Sequence, residues 1–271
     1  MFTQITPLIL TFNEAPNVAR ALERLKWAKE IVVVDSGSTD ETLEILRRWP
    51  QVRVVQRRFD SFAVQCNFGL EQIRTPWVLS LDADYILTPE LVAEIARLDN
   101  REAVAGYTAR FRYCIQGRPL RSTLYPPRTV LYRRDKASYR ADGHGHRVQV
   151  DGPTRMLASV IDHDDRKPMD RWLHEQNRYA AIEARHLLAN PRSALSFPDR
   201  LRCGMVFAPA AVFFYTLIVK GLILDGWPGW FYVLQRTYAE LLLALKLVEE
   251  KLRVASGEPR AARSEKESPN Q

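Results

Sequence analysis

The sequence predicts an α/β fold: a mostly parallel, Rossmann-like sheet flanked by helices, followed by an apolar and amphipathic helical extension. Three observations predict it. Between residues 5 and 98, short apolar runs of strand length alternate with segments of helical period, the pattern of βαβ units. Several of those runs end on polar or acidic residues: Thr11, Asn13 and Glu14 after the first, Asp35 after the second, Asp82 and Asp84 after a later one. Residues 205–219 are apolar and aromatic throughout and precede a stripe of leucines at helical spacing.

Taken in order, residues 5–11 read as a short buried strand. Asn13 and Pro16 then mark a helix start, and Val18, Leu22 and Leu25 recur at helical spacing up to Trp27. Residues 31–34 are a β-branched run ending at Asp35, as expected of a parallel strand covered on both faces. Residues 36–39 form a tight turn, and Ser38 with Glu41 three positions on fits a capping box for the helix of Leu43, Leu46 and Trp49. A strand at 52–55, a helix at 61–72 and a strand at 77–81 follow. Thr88, Pro89 and Glu90 open a further helix reaching Leu98. From residue 104 the apolar pattern alternates more. Strands are expected at 106–113 and 129–133, separated by a loop rich in Pro and Arg. Residues 142–146 read as a loop of Gly and His, and 168–188 as a helix turning Trp172, Tyr179 and Ile182 inward.

The 271 residues suffice for one substantial core with an appended segment. A composition of 46% hydrophobic and 26% charged residues excludes a disordered chain. The net charge of +7 implies an anionic partner, which nucleic acid, an acidic membrane surface or a phosphorylated substrate would each satisfy. Cys66, Cys114 and Cys203 lack paired or metal-type spacing and suit a reducing compartment. Residues 1–11 lack the basic start of a signal peptide, so a chain that stays in the cytoplasm is expected.

Right-handed crossovers in a parallel sheet place ligands at the carboxyl ends of the strands, where the polar residues above gather. Asp82 and Asp84 bracket one alanine, so both carboxylates leave one side of the chain. Two hard oxygen ligands there can hold Mg²⁺ or Mn²⁺ against a diphosphate. A lone pair of strand-end aspartates is more often just solvated, but the apolar run ahead of it and the acids at neighbouring strand ends argue for a site. Capping and turn formation account for Ser38, Thr39 and Asp40, but not for Asp35, a charge at the end of four buried aliphatics.

Residues 11–14 (Thr-Phe-Asn-Glu), 32–40 (Val-Val-Val-Asp-Ser-Gly-Ser-Thr-Asp), 65–67 (Gln-Cys-Asn) and 79–84 (Leu-Ser-Leu-Asp-Ala-Asp) resemble the ordered motifs of the family 2 (GT-A fold) inverting glycosyltransferases. The likeness is to the branch that builds lipopolysaccharide cores and other bacterial envelope glycans, and residues 220–230 resemble that branch's C-terminal element. The resemblance implies a nucleotide-sugar donor, UDP-linked, with Thr11, Asn13 and Glu14 lining the nucleotide pocket. It implies that Asp35 pairs with the base, that Asp40 supports its loop, and that Gln65 and Asn67 sit beside the nucleotide. Asp84 would be the principal metal ligand and Asp82 would touch the donor ribose or sugar. The acceptor would be a lipid-linked or envelope glycan.

Inverting transfer is a single displacement and needs a base for the acceptor hydroxyl. Asp142, His144 and His146 are the candidates, Asp142 first. The envelope branch carries a His-Glu pair near here, whereas this chain has His146 and Arg147; Arg147 is a candidate to hold the diphosphate instead. In residues 162–166 (Asp-His-Asp-Asp-Arg) the acids are adjacent rather than spaced for one metal, which favours a loop capping the next helix. His163 stays a candidate donor or acceptor contact.

The functional division expected is a donor half at 1–100, an acceptor half at 101–195, an apolar helical segment at 196–254 and a disordered tail at 255–271. Residues 205–224 approach the length of a membrane span, interrupted by Lys220 and Pro209, with Trp227 and Trp230 beyond. A buried hairpin, one span, and an interfacial hairpin that binds lipid or self-associates compete. The last fits a lipid-linked acceptor and a peripheral place on the cytoplasmic face of the inner membrane, with a homo-oligomer as an option. Two other functions fit less well. A sugar nucleotidyltransferase needs a Gly-rich phosphate loop, which residues 7–14 lack. A basic nucleic-acid-binding protein would find its phosphates repelled by the strand-end carboxylates.

Overall fold

The structure, a computed structural model, describes residues 1–99, 103–142 and 145–256, and for 141, 142, 145–147 and 254 it describes the backbone only. The first half runs β1 (Ile5–Thr11), α1 (Val18–Glu23), β2 (Ile31–Asp35), α2 (Thr42–Arg47), β3 (Val52–Gln56), α3 (Phe62–Glu71), β4 (Trp77–Asp82), β5 (Tyr85–Leu87) and α4 (Pro89–Arg97). There follow β6 (Gly106–Ile115), β7 (Arg118–Pro119), β8 (Arg128–Arg133), β9 (Ala137–Asp142), β10 (Gly145–Val150) and β11 (Thr154–His163). The chain then turns helical: α5 (Met169–Ala189), α6 (Phe197–Arg202), α7 (Phe207–Phe214) and α8 (Gly226–Ala255).

The main sheet has the order β3-β2-β1-β4-β8-β6-β11-β5, with β7 attached to β6. Strands β3, β2, β1 and β4 are parallel, β8 is antiparallel to β4 and β6, and β11 runs parallel to β6 but antiparallel to β5. The expected mixed α/β architecture is therefore present. Every residue of β2 is buried, as its uninterrupted β-branched run requires when helices cover both faces. Ile9, Ile31 and Val33 pack to one side with α1, α2 and α4, while Leu8, Val32 and Val34 pack to the other with α3. Gly69 lets α3 lie directly on β1: a Cβ there would come within 2.6 Å of Leu8 Cδ1.

Helix α4 starts as expected, with Thr88 Oγ1 accepting from the Leu91 amide and Pro89 in the first turn. Two local expectations are corrected. Ser38 and Glu41 form no capping box: α2 begins at Thr42 without a side-chain cap, and Ser38 Oγ bonds Asp35 and the Asn13 amide instead. Residues 142–146 are not simply a loop, because Asp142 ends β9 and Gly145 begins β10, antiparallel partners in a separate hairpin. The small residues masked an alternation that pairing with a neighbouring strand enforces.

Helix α5 buries Ala180, Ala184 and Leu187 against Leu243 and Leu247 of α8, while Trp172, Tyr179 and Ile182 are only half-buried. Between α7 and α8 the chain makes a π-helical turn (Tyr215–Val219) and a 3₁₀ turn (Leu222–Asp225). Among the described residues no single helix is long and apolar enough to cross a membrane. Phe207–Val219 and Leu222–Arg253 meet that length and composition only as a pair bent by 66°. The expected tail lies outside the described residues from 257 onward.

Candidate active site

Register builds the site. At the carboxyl edge of β1, Thr11 is level with Asp35 of β2, and on the other side Leu10 is level with Asp82 of β4. Chain order reverses direction across β1, which makes this edge the switch point where an open sheet leaves a crevice.

Asp35 is fully buried and saturated. Its Oδ1 accepts from the Gly37 and Ser38 amides, each at 2.9 Å, and its Oδ2 from the hydroxyls of Thr11 (2.8 Å) and Ser38 (2.5 Å). Gly37 takes φ +90°, which turns its amide back onto the carboxylate at no steric cost. Asn13 sits in the left-handed region at φ 55°, where Asn is tolerated, and its Oδ1 accepts from the Thr39 amide at 2.7 Å. Asp40 accepts from Thr42 and, at 3.1 Å, from the Ala15 amide. The two strand-end loops are thus stitched into one rim.

Gln65 and Asn67 leave α3 in different directions. Gln65 is buried and bonds Ser36, the Arg57 carbonyl and the Arg57 guanidinium. Asn67 grips the backbone of Tyr139 with both ends of its amide, at 2.9 and 3.0 Å. It thereby anchors β9, the strand that ends at Asp142.

Asp84 is the most constrained acid. Its Oδ2 lies 3.3 Å from His163 Nε2, and its buried Oδ1 has no hydrogen-bond partner. Burial alone would push this carboxyl up, but His163 and Lys167 outweigh it and hold Asp84 below the usual carboxylate range. The same pairing raises His163 against its own burial. His163 is caged by the rings of Tyr85, Tyr113 and Tyr125, at centroid distances of 4.7–5.3 Å, and its Nδ1 is also buried without a partner. Asp82 is half-exposed and has no hydrogen bond among the described residues, with Arg128 stacked on nearby Tyr125. No cluster of three or more metal-ligating side chains exists among the described residues. Asp84 and His163 nevertheless supply two convergent donors, and an orphaned carboxylate oxygen inside a protein suits a divalent cation whose other ligands come from a diphosphate.

Residues 162–166 do not cap α5, whose N-cap is Pro168 with no side-chain bond. They tie the second half of the chain to the rim formed by the loops after β1 and β2. Asp162 pairs with Arg112, Asp164 with Arg20 at 2.6 Å, and Asp165 accepts from Asn17 at 2.8 Å. Lys167 Nζ reaches Glu14 at 2.9 Å and Asp165 at 3.4 Å. Arg171 donates to the carbonyls of Phe12 and Asn13. Burial pushes the Glu14 carboxyl up to about 7 despite Lys167. Lys167 is raised in turn, because Asp84, Glu14 and Asp165 outweigh its own desolvation.

Of the expected site residues, Thr11, Asn13, Glu14, Asp35, Asp40, Asp82 and Asp84 lie along or just beneath this edge. Gln65 supports it from behind, and Asn67 belongs to the hairpin. Asp142 and His146 lie in the paired strands of that hairpin, their side chains outside the described residues, and His144 lies outside them altogether. Sequence reasoning missed Lys167, Asn17 and Arg171 and underweighted His163.

The family model described as glycosyl transferase family 2 matches residues 8–165. The lipopolysaccharide core biosynthesis glycosyltransferase LpsC of Rhizobium meliloti is 25% identical over 262 residues, covering 90% of this chain and 92% of the relative. An uncharacterized glycosyltransferase of Rickettsia prowazekii is 24% identical over 260 residues, covering 90% and 86%. Among solved structures, a mannosyltransferase from Pyrobaculum calidifontis, in complex with GDP-mannose and Mn²⁺, superposes with a TM-score of 0.52. It is 17% identical and the match covers 92% of this chain and 88% of that one, a likeness of fold.

Proposed function

Because the chain belongs to glycosyl transferase family 2 and is a glycosyltransferase, we propose that it moves a sugar, with inversion, from a nucleotide-sugar donor to a hydroxyl of a lipid-linked or envelope glycan. The unpartnered Oδ1 of Asp84, whose Oδ2 lies beside His163 at the carboxyl edge of β1 and β4, carries this reading. A bound Mg²⁺ or Mn²⁺ would neutralise charge on the departing diphosphate. Asp84 and His163 would hold that ion, and Lys167 adds a fixed positive charge behind them.

The remaining roles belong to the chain itself. Asp35 and the rim it orders shape the base pocket. A base N–H that reaches Asp35 must take the place of Thr11 or Ser38, since all four acceptor positions are filled. Asp82 faces the donor sugar. Asp142 and His146, in the paired strands β9 and β10, and His144 between them in sequence are the candidates, one of which takes the acceptor proton as the hydroxyl oxygen bonds the anomeric carbon and the bond to the diphosphate breaks. UDP as the nucleotide rests on the motif resemblance. The relative named for lipopolysaccharide core synthesis supports an envelope acceptor.

The exposed apolar surface of residues 206–230 supports attachment to the cytoplasmic face of the inner membrane. Val206, Phe207, Val219 and Leu224 are 69–76% exposed, and Trp227 and Trp230 stand beside them as interfacial aromatics do.

Thermal-shift measurements with a panel of nucleotide sugars, with and without Mn²⁺, test the proposal. One donor should raise the melting temperature in a metal-dependent way, and Asp84→Ala should abolish that shift. Absence of a shift with every donor, or an unchanged shift in the variant, would overturn it.

A further inference from the structure

Helix α8 is 30 residues long and carries two apolar stripes. One is satisfied within the chain: Val233, Leu243 and Leu247 are buried, and Glu240 on the same face is held by Arg202 at 2.8 Å. The second stripe consists of Leu234, Tyr238, Leu241, Leu245, Val248 and Leu252, each 39–66% exposed. We propose that this second stripe pairs with the same stripe of a second copy of the chain, forming a two-helix coiled coil. The inference is independent of the glycosyl-transfer reading.

The spacing of the six residues is 4-3-4-3-4, the alternation of a heptad seam. The six residues keep to one narrow line, as knobs meeting holes on a facing helix require, whereas a helix lying on lipid presents a broader apolar arc. Holes exist: an open groove of about 890 Å³ runs beside the seam, lined by Leu242, Leu245, Val248 and Leu252 of α8 and Asn177 of α5. The flanks also favour a copy over a membrane. Glu249 and Lys251, both exposed, border the seam with opposite charges, a mixture that complements itself but sets an acid against an anionic lipid surface. Pairing would bury roughly 500 Å² of side-chain surface per chain before flanking contacts, the larger part of the ~800 Å² per partner of a stable interface. Because Arg202 and α5 already fix the helix, little ordering remains to oppose association.

Sedimentation equilibrium of the full chain in detergent-free buffer at low micromolar concentration tests this. The wild type should weigh twice 31.2 kDa. Leu241→Glu with Leu245→Glu should weigh one chain's mass, with the far-ultraviolet circular dichroism and flotation on phosphatidylglycerol–phosphatidylethanolamine vesicles unchanged. Leu241→Ala with Leu245→Ala keeps the helix and only shortens the knobs, so it should weaken the dimer about tenfold or more even if the acidic pair disturbs folding. A monomeric wild type, a dimer that survives both pairs of substitutions, or loss of vesicle binding with no change in mass would overturn the proposal, the last placing the seam on lipid.

Discussion

Asn67→Ala separates a structural role from a nucleotide-binding one. The Asn67 amide accepts from the Tyr139 N–H at 2.9 Å and donates to the Tyr139 carbonyl at 3.0 Å, and Tyr139 is itself buried. Alanine removes both bonds beside a buried residue, a loss of about 2–3 kcal/mol. For a chain of this size that lowers the melting temperature by ~4–10 °C. Asn67→Asp should be at least as damaging, since it keeps the acceptor but turns an oxygen toward the Tyr139 carbonyl. The strand that begins at Ala137 ends at Asp142 and pairs with the strand that holds His146, so loosening its base should lower kcat about 10- to 100-fold with little change in KM for the donor. Calorimetry and steady-state kinetics with the donor found by thermal shift provide both readouts. An unchanged melting temperature together with a raised donor KM would refute the anchoring role and return Asn67 to the nucleotide pocket.

Three further outcomes follow from the geometry. Glu14 titrates near 7 when folded, above its ordinary value of 4.5, so its contribution to stability is complete below about 4.5 and is lost as pH rises through about 7. The stability difference between wild type and Glu14→Gln, measured by urea denaturation, should therefore shift in favour of the wild type between pH 8 and pH 5; a flat difference would contradict the raised value. Arg20→Met takes one partner from the buried Asp164 and should cost about 3 kcal/mol in the same assay. Gly69→Ala drives a methyl into Leu8 and should cost about 1–3 kcal/mol, part of it recovered by Leu8→Val, with non-additivity in a double-mutant cycle as the check.

The carboxyl edge of β1, β2 and β4 was legible because its residues announce themselves locally. A run such as residues 31–34 can only be a doubly covered strand, and a carboxylate at its end must face the sheet's carboxyl edge. Thr11, Asp35 and Asp82 needed no more than that and the parallel register. His163 and Lys167 were harder, since their partners lie far away in sequence: Lys167 meets Glu14 across 153 residues. The usable signal was β11. Its pairing with β5 sets His163 level with Tyr85, next to Asp84. The acids at 162–166 read as a loop capping the next helix because adjacent side chains diverge from any one metal, and that divergence lets each find a different cation or amide. The hairpin at 137–150 stayed hidden because its pairing holds Gly and His residues that carry no strand preference of their own.

The bonds from residues 164–171 back to residues 12–20 also bear on how the molecule comes into being. Asn17, Arg20, Glu14 and the carbonyls of Phe12 and Asn13 gain their long-range partners only as residues 164–171 leave the ribosome. A nascent chain that stops near residue 100 carries the donor motifs but not the cations and acids that satisfy them. The division expected near residue 100 therefore cuts across bonds that satisfy the strand-end loops of the first half. A fragment of residues 1–100 would be a poor scaffold for swapping donor specificity between relatives, and chimeras should be joined after α5 begins.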